Sequence, residues 1–186
     1  MKEMTSLLSW LKDGNNHMKK KLIYITGISG TGKTTLFNEF VKKGYSALEI
    51  DEFSHWENRE TGDRISWSPG ASKEYLDTHR WVCDMGALNS AIQGLQDENI
   101  YIFGVVDQNP FDFFDKVILL QCSIETAFNR VDKRSDNPFG KGEVEKQWIK
   151  GWKDGFESDL LDMGATPVSG EDDIESITQN IISICK

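Results

Sequence analysis

Gly27-Ile28-Ser29-Gly30-Thr31-Gly32-Lys33-Thr34 has the spacing G-x-x-x-x-G-K-[ST] at every fixed position. Glycines there let backbone N–H groups converge on an anion, and a helix opening at Lys33 adds the partial positive charge of its N-terminus. The residues expected at a triphosphate are Gly27, Ser29, Gly30, Thr31, Gly32, Lys33, Thr34 and Thr35. Lys33 would reach the β- and γ-phosphates, and the Thr34 hydroxyl would ligate Mg²⁺. Asp51 and Glu52 follow an apolar run and would lie at the strand edge that faces a ligand crevice. Asp51 there can hold Mg²⁺ or orient an attacking hydroxyl. Asp107 ends another apolar run as a second candidate acid, and Gly104 would let a small molecule approach the backbone.

Arg130 and Arg134 stand four apart, so a helix places both guanidiniums on one face, where they can clamp phosphoryl oxygens. The polar stretch that follows, about 134–143, is expected to be a lid that excludes water. Asn129-Arg130-Val131-Asp132 imitates a guanine-reading N-K-x-D, but it lacks the lysine and falls inside a helical pattern. An acceptor would lie among residues 53–90, where His55, Trp56, Arg59, Arg64, Trp67, His79, Arg80 and Trp81 occur. Their aromatic rings can stack a flat face and their arginines can pair an anion. Arg80 and Glu52 join Gly104 and Asp107 as the expected acceptor-side residues. Trp148, Trp152 and Phe156 share one helix face and read as core or lid packing.

The elements that must position these groups alternate between strand and helix. Leu22–Ile25 reads as a buried strand, and 33–43 as a helix with Leu36, Phe37, Phe40 and Val41 on one face. Further strands are expected at 45–50, 99–106, 117–120 and 166–168, and helices at 123–133, 143–162 and around Ile174–Ile184. Residues 72–96 read as one long helix, and Thr61-Gly62-Asp63 as a hairpin turn. Such alternation predicts an α/β fold with a doubly wound parallel sheet. Residues 1–20 read as an appendage, with Leu7, Leu8 and Leu11 forming one amphipathic turn, and 21–186 as one domain.

Composition narrows the function. A net charge of −9 argues against a partner that follows nucleic-acid backbone. No run approaches the roughly 18 apolar residues of a membrane helix. Cys83, Cys122 and Cys185 form no metal or redox motif and fit free thiols in a cytoplasmic, reducing compartment.

These residues resemble the adenylate kinase, shikimate kinase and gluconate kinase group of small P-loop kinases. The resemblance rests on Gly27–Thr35, Asp51, Phe103-Gly104 and the Arg130/Arg134 pair, and it covers most of 21–186. The phosphate loop is most similar to that of gluconate kinases. Arg134-Ser135-Asp136-Asn137-Pro138-Phe139-Gly140-Lys141 resembles a branch labelled nucleoside- or shikimate-kinase-like. The resemblance implies a three-layer P-loop NTPase fold, a five-stranded parallel sheet in order 2-3-1-4-5 with a small lid, ATP with Mg²⁺, and catalytic roles for Lys33, Asp51, Arg130 and Arg134. It departs where Asp51-Glu52-Phe53-Ser54-His55 only echoes the D-G-D-x-x-H of gluconate kinases, so no family substrate carries over. The expected activity is ATP-dependent phosphoryl transfer to a nucleoside or nucleotide, sugar acid or cyclitol. The expected protein is a monomer or homodimer with no nucleic-acid or membrane partner. Two other uses of the same loop are a nucleotide hydrolase or switch and a non-catalytic ATP-binding module.

Overall fold

A computed structural model of the protein describes residues 20–135 and 137–186. The expected appendage, its amphipathic turn included, falls at 1–20 and so, but for Lys20, outside the described residues. Lys20 itself is docked on the domain, its Nζ donating to the Ile92 carbonyl at 2.7 Å.

Five strands build the main sheet: β1 (Lys21–Thr26), β2 (Ala47–Glu49), β6 (Asn99–Phe103), β7 (Lys116–Gln121) and β8 (Thr166–Ser169). All their pairings are parallel, in the spatial order β2-β6-β1-β7-β8. Counted along the chain within this sheet, the order is 2-3-1-4-5, as expected. Helices cover both faces, so the central strands are apolar on both sides. Ile23 and Ile25 of β1 pack with Leu36 and Phe40 of α1 (Lys33–Lys42) and with Ile177 and Ile181 of α6 (Ile174–Cys185). Tyr24, one residue out of phase, faces the other layer, with Leu88 and Ile92 of α3 (Met85–Gln93) and Leu160 of α5 (Glu143–Asp162).

The stretch 72–96 is not one helix. It divides into α2 (Lys73–Thr78), β5 (His79–Cys83) and α3. Asp84 makes the second break: its carboxylate accepts from the N–H groups of Gly86 and Ala87 and caps α3. Leu76, Val82, Leu88 and Ile92 are all buried, but they serve three elements whose apolar positions happen to fall at helical intervals. The physical signal for the strand is the β-favouring run Trp81-Val82-Cys83. β5 pairs antiparallel with β3 (Ser54–Asn58), which pairs with β4 (Arg64–Ile65). The turn between β3 and β4 includes Gly62 at φ 74°, so the hairpin falls at the expected Thr61-Gly62-Asp63. This second, three-stranded sheet grows from the end of β2 and stands beside the phosphate loop's mouth.

Candidate active site

The phosphate loop is held by close contacts that leave no room for side chains. A Cβ on Gly27 would lie 2.4 Å from the Leu120 carbonyl oxygen, and one on Gly30 would lie 2.3 Å from the Ala127 carbonyl oxygen. Gly30 and Gly32 also take φ values of 91° and 104°, the left-handed region. Thr31 is buried and its hydroxyl donates to the Ile28 carbonyl at 3.0 Å, so its role lies inside the loop. Lys33 Nζ donates to the carbonyls of Gly27 (2.6 Å) and Ile28 (2.9 Å).

The loop opens into a cavity of about 1040 Å³. Ser29, Gly30, Gly32, Lys33, Thr34 and Thr35 line one end, together with Asp51, Arg130 and Arg134. Asp51 sits on a short 3₁₀ turn, Ile50–Phe53, directly after β2. Its accessible surface opens onto the cavity, while the surrounding walls raise its carboxyl above the usual carboxylate range. Lys33, the Trp81 indole and Arg134 oppose that rise. Trp81 Nε1 donates to Asp51 Oδ1 at 3.3 Å. Burial pulls the Lys33 ammonium down to about 8, with Arg134 adding to the fall and Asp51 opposing it. A base-competent acid and a softened lysine therefore share one partly dry space, the pattern expected where charge is to be moved.

Arg130 and Arg134 extend from the end of α4 (Ile124–Lys133), but they do different things. Arg130 Nη1 donates to the carbonyls of Gly30 (3.4 Å), Thr31 (3.3 Å) and Gly170 (2.9 Å) and ties the phosphate loop to the segment after β8. Arg134 donates to Ser29 Oγ (3.1 Å), to the Asn137 carbonyl (3.0 Å) and to the Phe139 carbonyl. The lid loop is anchored from the other side by buried Glu145, whose Oε2 accepts from Gly140 N (2.7 Å) and Gly142 N (3.3 Å). The guanine-like Asn129–Asp132 run lies within α4, with Asp132 bonded to Lys146 at 2.6 Å.

Of the four expected acceptor-side residues, Arg80 and Asp107 line the cavity and Gly104 and Glu52 do not. Gly104 is buried and absent from the cavity wall; at φ 145° a Cβ there would meet Ile50 Cγ2 at 2.3 Å, so glycine serves the packing of β6 against the Asp51 turn. Glu52 is exposed and also outside the cavity wall. Asp107 lines the cavity, with its Oδ2 2.6 Å from Arg59 Nη2 in an ion pair. Arg80 lines the cavity and holds Glu57 Oε1 at 2.6 Å. His55 and Arg64 bond to each other at 2.9 Å away from the wall.

Residues read as packing prove to line the site. Trp148, Trp152 and Phe156 of α5 face the cavity. Phe139 of the lid loop joins them to the second sheet, its ring centroid lying 6.4 Å from both Trp148 and Trp56 and 5.7 Å from Trp67. Only a topology that brings 56, 139 and 148 together reveals this wall. The one sequence signal was an excess of tryptophan in the 56–81 and 148–152 stretches.

The chain matches the AAA domain family over residues 23–150. It belongs to that family. No curated protein matches its sequence. Among solved structures, deoxyadenosine kinase from M. mycoides with bound dATP superposes with a TM-score of 0.51 at 19% identity, over 88% of this chain and 98% of that one. The same enzyme with dCMP and a flexible dCDP gives 0.51 at 17% identity over the same shares. A gluconokinase from Sinorhizobium meliloti 1021 gives 0.51 at 12% identity, over 90% of this chain and 92% of that one. At these identities the likeness establishes a shared fold.

Among the described residues, no group of three or more His, Cys, Asp or Glu is placed to hold a metal. Thr34 and Asp51, which carry a hydroxyl and a carboxylate, nevertheless both line the cavity beside the phosphate loop. That donor set suits Mg²⁺, which keeps waters and takes one or two protein oxygens plus substrate phosphates. No helix among the described residues is long and apolar enough to cross a membrane.

Proposed function

We propose that the protein is an ATP-dependent kinase of a small metabolite. The observation that carries this reading is the convergence of Lys33, Asp51 and Arg134 on one cavity beside the phosphate loop. The cavity, about 1040 Å³, lies at the upper end of the roughly 300–1,000 Å³ typical of ligand pockets and runs on from the phosphate loop to Trp56, Arg80 and Trp81. A hydrolase or switch needs room for a triphosphate and one water; a lined space beyond the loop is what a second organic reactant requires. The solved kinases of the same fold act on small acceptors, and one of them binds dATP.

The loop residues Gly27–Thr35 would hold the triphosphate, and the N–H groups at the start of α1 would supply donors to it. Lys33 and Arg134 neutralise charge on the transferring phosphoryl group, while Arg130 keeps the loop in shape through its three carbonyl bonds. Thr34 and Asp51 would hold Mg²⁺, which would supply charge neutralisation to the phosphates. Asp51 faces the acceptor end and orients the attacking hydroxyl, taking its proton as the new P–O bond forms. Phe139 and its neighbours cover the cavity and exclude water that would compete with the acceptor.

ADP release from ATP and Mg²⁺ by the purified chain, with and without a metabolite panel, tests the reading. Release that depends on an acceptor, with phosphate recovered on that acceptor, is the expected result. Slow release unchanged by every metabolite would mark a hydrolase instead.

A further inference from the structure

The acceptor end of the cavity differs in charge from the phosphate end. Its two arginines are both engaged by carboxylates. Arg59 holds Asp107 at 2.6 Å and also donates to the His79 carbonyl at 3.1 Å. Arg80 holds Glu57 through both Nε (2.7 Å) and Nη2 (2.6 Å). Two cations against two anions leave this end without net positive charge, and Asp159 adds a further carboxylate to the lining. A carboxylate or phosphate arriving here would displace an existing ion pair and meet its anion.

Three neutral polar side chains of this lining are engaged as well. Gln108 spans the Cys83 backbone, accepting from its N–H at 3.0 Å and donating to its carbonyl at 2.7 Å. Asn109 Oδ1 accepts from Phe111 N at 3.1 Å, and its amide donates to Asp112 at 3.3 Å. His79 is stacked on Tyr75 at 4.3 Å, with Nδ1 2.8 Å from the Tyr75 carbonyl. The indole N–H groups of Trp67 and Trp152, which also line the cavity, have no protein partner, but each offers one donor and no acceptor, whereas a polyol ring needs many partners of both kinds.

The acceptor end does offer ring faces. Trp56 lies 5.7 Å from Trp81 at 54° and 6.4 Å from Phe139 at 42°, so the rings form a tilted, curved wall. That wall is tied to the reacting acid, because the Trp81 indole N–H donates to Asp51. A molecule whose ring lies on the wall therefore presents a neighbouring hydroxyl to Asp51.

From this we infer that the acceptor is a neutral compound joining a flat unsaturated ring to a hydroxyl-bearing arm, the chemistry of an unphosphorylated nucleoside, rather than a sugar acid, a cyclitol or a nucleoside monophosphate. The inference rests on the kinase reading above. The acceptor hydroxyl oxygen forms the new bond to the γ-phosphorus of ATP, the bond to the bridging oxygen breaks, ADP leaves, and the hydroxyl proton passes to Asp51.

The test uses the full chain with ATP and Mg²⁺ and four arms: purine and pyrimidine nucleosides, sugar acids, neutral cyclitols, and nucleoside monophosphates. Both ADP and phosphorylated product are measured. The expected result is transfer to at least one nucleoside with kcat/KM about tenfold or more above every compound of the other arms. Trp56→Leu then raises the nucleoside KM about tenfold and leaves the ATP KM unchanged. Asp107→Asn, which releases Arg59 from its carboxylate, narrows the preference against anionic acceptors. Transfer that favours an acid, a cyclitol or a monophosphate overturns this inference and leaves the kinase reading standing. Absence of transfer in all four arms overturns both.

Discussion

The two ends of the cavity are built by different means. The phosphate end is mostly backbone: a continuous run, Gly27 to Thr35, whose glycines sit against the Leu120 and Ala127 carbonyls. The acceptor end is mostly side chain: Trp56 and Trp81 from the second sheet, Phe139 from the lid loop, and Trp148 from α5. A backbone site breaks when a side chain is added, and a side-chain site breaks when one is removed. Perturbations at the two ends should therefore separate nucleotide handling from acceptor handling.

The harshest test of that division is Lys33→Ala. On the proposed reading, removing the ammonium from the phosphate end should lower acceptor-dependent ADP release by roughly 10²–10³-fold, through the loss of a positive charge at the transferring group. Equilibrium binding of the acceptor, read from tryptophan fluorescence, should persist. If acceptor binding vanished too, the two ends would be one structural unit.

Asp51→Asn lies at the junction and should lower kcat by about 10²-fold or more. The same change should raise the melting temperature. The folded protein holds this carboxyl above its ordinary range, so its ionisation costs stability once the pH rises past the unfolded-state value, and asparagine removes that cost. For a chain of this size, each ~1 kcal/mol recovered is about 2–4 °C. In the wild type, kcat/KM should be bell-shaped with pH. It falls on the acid side as Asp51 takes up a proton and on the alkaline side as Lys33 loses one near its value of about 8. Bound phosphates stabilise the ammonium, so the alkaline limb of kcat should lie higher than that of kcat/KM. Asp51→Asn should abolish the acid limb.

Gly30→Ala adds a methyl group where the Ala127 carbonyl oxygen is 2.3 Å away and φ is 91°. Strain of this kind is about 1–3 kcal/mol, so ATP affinity should fall about tenfold in a calorimetric titration with acceptor affinity intact. The mildest change is Trp81→Phe. It keeps a ring on the wall and deletes the N–H that donates to Asp51. Turnover should fall by about tenfold or less, and the acid limb should move to higher pH, since a donor that favoured the carboxylate has gone. An unmoved acid limb would mean that Trp81 serves the wall alone.

The same contrast explains what the sequence could reveal. A backbone site is written as one contiguous motif, so Gly27–Thr35 and the strand before it could be read directly. Asp51 was legible because a strand end in a parallel sheet faces the crevice, and the arginine pair because helical spacing fixes a face. The wall was not legible. Residues 56, 81, 139 and 148 share no spacing, and β5 hid within an apolar pattern that also fits a helix. Trp148 and Trp152 do pack around Ile149 and Ile28, so the reading of them as core was half of the answer. Gly104 misled because a glycine at a strand end signals close approach without saying by what; here it is the Ile50 side chain. Asp107 does reach the cavity wall, but its partner Arg59 could not be read from spacing, because the second sheet brings the two together.

Gly170 has a further consequence. A Cβ there would lie 2.6 Å from the Thr31 carbonyl oxygen, and its own carbonyl receives Arg130 together with those of Gly30 and Thr31. The phosphate loop thus waits on a residue that follows β8, the last strand of the sheet in chain order. A ribosome that has already released the phosphate loop must still deliver β7, α4, α5 and β8 before that loop gains its last support. A nascent chain stalled short of Gly170 would carry every letter of the motif and still lack the carbonyl that shares Arg130 with Gly30 and Thr31.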